Sequence, residues 1–216
     1  MMKTAAAGFA LAVCLAAALL RPALAQPGPP RAAALTARER ADARRIEHYL
    51  NGIHTLAAHF EQFGGDGSTE TGTLYLARPG RMRFEYTPPS PLLLLADGSF
   101  VVYVDSKLKQ VTYLPINSTP AWFLLRERIS LTDGVTITHF EDRAGVLRVT
   151  LVQNKAPDQG SLTLTFSDQP LELRQWTVVD AEVKSTTVVL SDPHYGVPID
   201  PRLFTFTDPR GAAAGR

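Results

Sequence analysis

The sequence predicts a mainly β protein: one large antiparallel sheet curled into a barrel, preceded by an amphipathic helix and interrupted by one short apolar helix. Three observations predict it. From Phe60 onward apolar and polar residues alternate with a period of two, as in Arg81-Met82-Arg83-Phe84-Glu85-Tyr86. Glycine-containing turn pairs (Asp97-Gly98, Asp133-Gly134, Ala144-Gly145) recur at short intervals. No long helical stretch separates the strands, as parallel pairing would require.

The chain begins with an export signal. Met1-Met2-Lys3 is a short positive start, Thr4 to Leu20 carries no charge, and Ala23-Leu24-Ala25 is a small-x-small cleavage site before Gln26. The apolar run is short of the roughly 20 residues that span a bilayer, so a cleaved signal over residues 1–25 is favoured over an anchor. Leu11-Ala12-Val13-Cys14 resembles a lipobox only loosely, because Val13 is too large for its position. Cleavage removes Cys14, the only cysteine, and with it any disulfide, thiolate metal site or cysteine nucleophile. It also removes Lys3 and Arg21 from the 22 basic residues, leaving them balanced against 21 acidic ones. With no basic cluster, nucleic acid is not expected as a partner. The remaining length, about 190 residues, suits one all-β domain.

Residues 26–36 are rich in Pro and Ala and are expected to form a flexible leader. Thr36-Ala37-Arg38-Glu39 is a capping box. It opens a helix carrying Ile46, Leu50, Ile53 and Ala57 on one stripe, with Gly52 weakening its last turn. Strands are then predicted at Phe60–Phe63, 71–78, 81–86, 92–96, 100–104, 110–114, 135–140, 146–152, 162–166, 171–179 and 183–190. Residues 210–216 are expected to form a flexible tail. Thr119-Pro120-Ala121-Trp122-Phe123-Leu124-Leu125 breaks the series, with Pro at a helix start after a Thr cap. So apolar a turn must bury itself, as a plug in a barrel mouth or as a lid over a cavity, and periodicity does not separate the two.

Leu74 and Leu76 share strand parity, as do Met82, Phe84 and Tyr86, so these five side chains are expected to line one apolar surface with Trp122 over it. Arg78 has the parity of Leu74 and Leu76. A guanidinium pointing into an apolar space needs dedicated acceptors, whereas one at a barrel rim snorkels into water.

Catalytic signatures are missing from the sequence. His48 and His54 lie six apart, not at the i, i+4 spacing of a helical metal pair. Asp192-Pro193-His194 reads as a turn. There is no Gly-x-Ser-x-Gly elbow, phosphate-binding loop or dinucleotide fingerprint, and Asp97, Asp133 and Asp208 sit where turns favour Asp. The expectation is a non-enzymatic carrier or binding module with an apolar interior, without metal or cofactor.

Several motifs, in order, resemble the LolA family of periplasmic outer-membrane lipoprotein carriers. They are Phe60-Glu61-Gln62, Gly72-Thr73-Leu74-Tyr75-Leu76-Ala77-Arg78-Pro79, Phe84-Glu85-Tyr86 with Pro88, Asp97-Gly98, Val101-Val102-Tyr103, Thr119-Pro120 and Leu203-Phe204-Thr205-Phe206. The resemblance spans residues 37–209. It implies an incomplete, open antiparallel barrel enclosing a hydrophobic cavity and covered by helices. The implied function is to take acylated lipoproteins from an inner-membrane LolCDE-type ABC transporter and hand them to an outer-membrane receptor, LolB, where one exists. It further implies that Arg78 holds a lid closed, that Leu74, Leu76, Met82, Phe84, Tyr86, Trp122 and Phe123 form the lipid site, and that the protein works as a monomer. The chain departs from the family in having Phe84, and Val101 or Val102, where a Trp is common, and in its long Ala- and Pro-rich leader. The alternative is a LolA-like carrier or sensor of another lipid or a polyene.

Overall fold

The computed structural model describes residues 30–120 and 122–208. The expected signal peptide, the first part of the leader and the 210–216 tail lie outside them. The helix α1 (Ala37–Gly52) comes first. The strands are β1 (Thr55–Gly64), β2 (Thr69–Ala77), β3 (Arg81–Tyr86), β4 (Leu92–Asp97), β5 (Phe100–Asp105) and β6 (Gln110–Pro115), then β7 (Val135–Arg143), β8 (Val146–Gln153), β9 (Ser161–Asp168), β10 (Leu171–Val179) and β11 (Ser185–Tyr195). A four-residue helix, α2 (Trp122–Leu125), lies between β6 and β7. The strands form one antiparallel sheet in the order β6-β5-β4-β3-β2-β1-β11-β10-β9-β8-β7. Because β6 and β7 do not pair, the barrel is open, and residues 116–120 and 122–134 lie between these two edge strands in the chain. Among the described residues no helix is long and apolar enough to cross a membrane.

The capping box forms as the sequence predicts. The Glu39 amide donates to Thr36 Oγ1 at 3.2 Å, and Glu39 Oε2 accepts from the Thr36 amide at 2.7 Å. The apolar stripe is shorter than expected. Ile46 and Leu50 are buried on the helix, Ile53 is its C-cap, and Ala57 belongs to β1. Ile53 and Ala57 continue the helical period by coincidence, because Gly52 ends the helix and the inward set Leu56, Ala58, Phe60 takes over with a period of two.

Parity sorts the inner face. Leu56, Ala58 and Phe60 on β1, Leu74 and Leu76 on β2, Met82, Phe84 and Tyr86 on β3, and Val188 and Leu190 on β11 are all buried in one core beneath α1 and α2. Gly72 is required there: a Cβ would stand 2.1 Å from the Glu85 carbonyl oxygen and 2.8 Å from the Phe60 ring. The run Leu92-Leu93-Leu94-Leu95 does not alternate because both faces of β4 are covered. On the outer face Leu95 and Val102 pack under Phe204, delivered by the C-terminal segment, and Arg83 Nη1 donates to the Leu203 carbonyl at 3.2 Å.

Three expectations need correction. Asp192-Pro193-His194 is no free turn: it lies inside β11, where pairing with β1 slips between Ala57 and His59. A bulge accommodates a proline that cannot donate to the ladder. Val183 does not begin a strand; it sits in the turn before β11 with φ of +63° and is 81% exposed. The leader is docked where it is described: the Ala33 amide donates to the Ile137 carbonyl on edge strand β7 at 2.8 Å, and Ala33 and Leu35 pack on the core.

Candidate functional site

Register brings the expected cavity residues of β2 and β3 together, with Leu76 opposite Met82 and Leu74 opposite Phe84. Phe60 from β1 meets Phe84 and Tyr86 edge to face at 4.9 and 5.3 Å, and Phe84 meets Trp176 at 6.2 Å. Phe84, Tyr86 and Trp176 wall an apolar cavity of about 180 Å³, bounded also by Met82 and Leu124, and Phe60 packs against the first two of these rings. A second hollow of about 20 Å³ lies beside Arg78, among Leu50, Leu74 and Leu76. Leu124, Met82 and Trp176 line both, so these three side chains are the partition between them.

Two expected residues sit elsewhere. Trp122 and Phe123 line a separate hollow of about 20 Å³ with Val135 and Leu151. The indole of Trp122 lies 4.9 Å from the Arg126 guanidinium, which in turn donates to the carbonyl and carboxylate of Asp133 at 2.8 and 3.0 Å. In a helix of one turn, neighbouring side chains point about 100° apart. It is Leu124, not Trp122, that faces the cavity. Trp176 was also absent from the expected set, yet the sequence signals it. Apolar residues at 171, 173, 176 and 178 slip phase by one, and the structure has a register irregularity there, between Leu173 and Gln175.

Arg78 turns inward at the end of β2 and is half-buried. Its Nε donates to the Ile53 carbonyl at 2.6 Å, its Nη2 makes short hydrogen bonds to the Leu50 and Ile53 carbonyls, and its Nη1 reaches the Arg126 carbonyl at 3.5 Å. Burial draws its pKa down from the usual arginine value, which still leaves it charged at neutral pH. Its acceptors are all backbone carbonyls. The guanidinium chiefly grips the C-terminal end of α1, and only its weakest contact goes to the chain leaving α2. Helix α1 has no basic residue in its last turn, so the sheet supplies the cation that its orphan carbonyls and negative pole favour.

The short helix is tied in by other groups. The Gly80 amide, in the turn after Arg78, donates to the Leu125 carbonyl at 2.8 Å. Asn51 on α1 pairs with the backbone of Ile129 in both directions, at 2.8 and 2.9 Å, and Glu47 Oε2 accepts from the Leu131 amide at 2.8 Å. Helix α1, the turn after β2 and residues 125–131 thus form one hydrogen-bonded cap over an apolar interior. The weakness of each single bond makes such a cap releasable. The five histidines are exposed. Among the described residues no group of three or more His, Cys, Asp or Glu is placed to hold a metal.

Comparison with known proteins agrees over most of the chain. The family described as "Outer membrane lipoprotein carrier protein LolA" matches residues 51–207. A protein of Methylococcus capsulatus named outer-membrane lipoprotein carrier protein is 30% identical over 176 residues, covering 77% of this chain and 84% of its own. A protein of Chromohalobacter salexigens with the same name is 30% identical over 182 residues, covering 79% and 84%. Among solved structures, a LolA superfamily protein from Nitrosomonas europaea aligns with a TM-score of 0.43 at 9% identity, over 76% of this chain and 97% of its own.

Proposed function

The chain belongs to the LolA family of outer-membrane lipoprotein carrier proteins, and from that premise we propose that it shields the acyl chains of lipoproteins in its barrel while they cross the periplasm to the outer membrane. The supporting observation is the capped apolar interior. A cavity walled by Phe84, Tyr86 and Trp176 is the kind of space that apolar ligands fill. No covalent step is needed, since cargo binding and release are shifts between a capped and an uncapped barrel.

The geometry suits a carrier that lets go. An engineered cavity of about 150 Å³ holds one benzene-sized guest, so the roughly 180 Å³ present here accepts little more than the end of one acyl chain. Full loading requires Leu124 to leave its place between the two hollows, and therefore requires α2 to move. Each buried methylene is worth about 0.8 kcal/mol, enough for several chains to bind almost irreversibly. Breaking the hydrogen bonds around Arg78, Asn51 and Gly80 on loading offsets part of that gain, and remaking them favours discharge. Arg78 is the lid-closing residue in this scheme. It acts through α1, whose end it holds, as well as through the chain after α2.

On this reading the mature protein starts at Gln26, is loaded as a monomer by an inner-membrane LolCDE-type transporter and discharges to LolB or another outer-membrane acceptor. The test is mass spectrometry of protein purified from a periplasmic extract. Acylated cysteinyl peptides with the carrier, and a chain beginning at Gln26, support the proposal. Free lipid or polyene as the sole apolar passenger would reassign the cargo, and a chain beginning at a lipidated Cys14 would overturn export as a soluble carrier.

A further inference from the structure

The two ends of the barrel differ, and the inner face changes character along its axis. Toward α1 the inward positions are Leu56, Leu76 and Met82. Away from it β1, β2 and β11 turn polar at their last inward residue, while Leu92 of β4 and Tyr103 of β5 also reach the groove: β1 runs Ala58, Phe60, Gln62, and β2 runs Leu74, Gly72, Glu70. On β11 the sequence is Leu190, Val188, Thr186, and Val178 of β10 is followed in phase by Asp180. Register aligns these changes, since Gln62 lies opposite both Glu70 and Val188, and Val178 opposite Thr186. Beyond them a groove of about 710 Å³ opens between the tips of the β1–β2 and β10–β11 hairpins. Gln62 and Thr186 line both this groove and the apolar cavity, so the two adjoin at these side chains. Tyr86 marks the border, its hydroxyl donating to Gln62 Oε1 at 3.0 Å. Charge on the groove wall is uneven, with Asp66, Glu70 and Asp180 against one cation, Lys184, and Asp66 and Asp180 also accept hydrogen bonds within their own turns.

An apolar cavity that adjoins a polar groove at the end away from α1 matches an amphiphile in one direction. We propose that cargo lies lengthwise in the barrel, with its acyl termini toward the Arg78 end and its acylated cysteine and first peptide residues in the hairpin groove, and that the groove favours basic residues in that peptide. The proposal rests on the carrier reading and adds its polarity and a sequence preference. Gln62 and Thr186 stand where ester and amide groups of the lipid anchor would cross from the apolar to the polar part, each able to hydrogen-bond to a carbonyl. The groove's volume lies within the ~300–1,000 Å³ of ordinary ligand sites, enough for a short peptide stretch.

The probes are two synthetic diacylglyceryl-cysteinyl peptides, one followed by three lysines and one by three glutamates, each made with a diazirine either at an acyl terminus or in the peptide. With the full mature chain, the acyl diazirine should cross-link near Leu76 and Leu124, and the peptide diazirine near Thr186 and Lys184. The lysine peptide should bind about three- to tenfold tighter at low salt, the advantage shrinking as salt rises, as expected for partly screened charge pairs. Glu70→Lys should erase or invert that advantage, and Glu70→Gln should halve it or more, while an uncharged dye in the cavity binds both variants like the parent. Cross-links in the reverse order, or equal affinity for the two peptides, would overturn the orientation or the preference respectively and leave the carrier reading standing. If neither lipopeptide binds but free lipid does, the carrier reading itself fails, and this inference with it.

Discussion

The helix-capped end and the hairpin end of the barrel solve opposite problems. At the capped end an apolar interior must be sealed, and the seal is a small number of directional bonds from Arg78, Asn51, Glu47 and the Gly80 amide onto backbone groups. At the hairpin end the interior is graded into water through Gln62, Glu70 and Thr186, and among the described residues those lining the groove belong to strands and turns. Hydrogen bonds of this kind depend steeply on geometry, so a modest displacement breaks them together. A polarity gradient has no such threshold. On the proposed reading, switching belongs to the capped end and selection to the hairpin end, and substitutions at each should separate release from recognition.

The largest effect is expected where the two ends meet. Phe84 touches Phe60, Tyr86 and Trp176 and is 4% exposed. Phe84→Glu places a carboxylate without a partner in the cavity wall, which costs several kcal/mol in stability and should abolish binding of an acyl probe or hydrophobic dye. Dye fluorescence together with far-UV circular dichroism checks it. A folded variant that binds dye like the parent would show that this wall is not the lipid site, and the comparison of ends would lose its common cavity.

Next comes Arg78→Leu, which tests switching alone. The side chain keeps an apolar stem but gives up charge-assisted donors worth roughly 1.5–3 kcal/mol each to the capped state. Lipoprotein uptake from membranes should be kept, while transfer onward to acceptor vesicles should fall about tenfold or more, because the empty capped state is no longer favoured. Lysine should rescue poorly, since one ammonium cannot serve Leu50, Ile53 and Arg126 carbonyls at once. Parental rates in both steps would mean that Arg78 holds the end of α1 in place without controlling release. Asn51→Leu should act in the same direction but more weakly. It removes only the two-way pairing with Ile129, at about 1–3 kcal/mol of stability by thermal melting.

The strands were legible in the sequence wherever one face meets water. Met82, Phe84 and Tyr86 alternate with Arg81, Arg83 and Glu85, and the structure buries the first set and leaves the second wholly or partly exposed. Legibility failed where a second cause acted on the same residues. The β11 strand runs on through Asp192-Pro193-His194 because a bulge absorbs what reads as a turn, and Ala57 fits a helical stripe that Gly52 has already ended. Within the site, parity could place Leu74, Leu76 and Arg78 on one face, but not choose among the carbonyls that Arg78 meets, because these belong to an element 25 residues earlier. For α2, one turn of helix carries too little periodicity to tell Leu124 from Trp122. Here tertiary contact decides which side faces in.

The smallest effect expected is at the border itself, with Tyr86→Phe. The substitution keeps the ring and its contacts with Phe60 and Phe84 and removes only the hydroxyl that donates to Gln62 Oε1 at 3.0 Å. A neutral hydrogen bond contributes about 1 kcal/mol, and Gln62 lines the groove, where water can take the hydroxyl's place, so the loss at neutral pH should be about 1 kcal/mol or less. Dye affinity should hold or rise slightly, because the cavity wall becomes less polar. The pH dependence gives the sharper reading. Burial raises the Tyr86 pKa above the ordinary tyrosine value in the folded protein, so the unfolded chain ionises first. The contribution of this residue is therefore complete below about pH 10 and drains away as pH rises beyond it. Tyr103 and Tyr195, whose pKa values are also raised by burial, lose stability in the same range in both proteins, so the comparison isolates Tyr86. Denaturant melts at pH 8 and pH 11 should show Tyr86→Phe slightly less stable than the parent at the first and level with it or more stable at the second. A difference that stays constant across that interval would mean that Tyr86 already meets water, placing the border between grease and groove deeper in the barrel than Gln62.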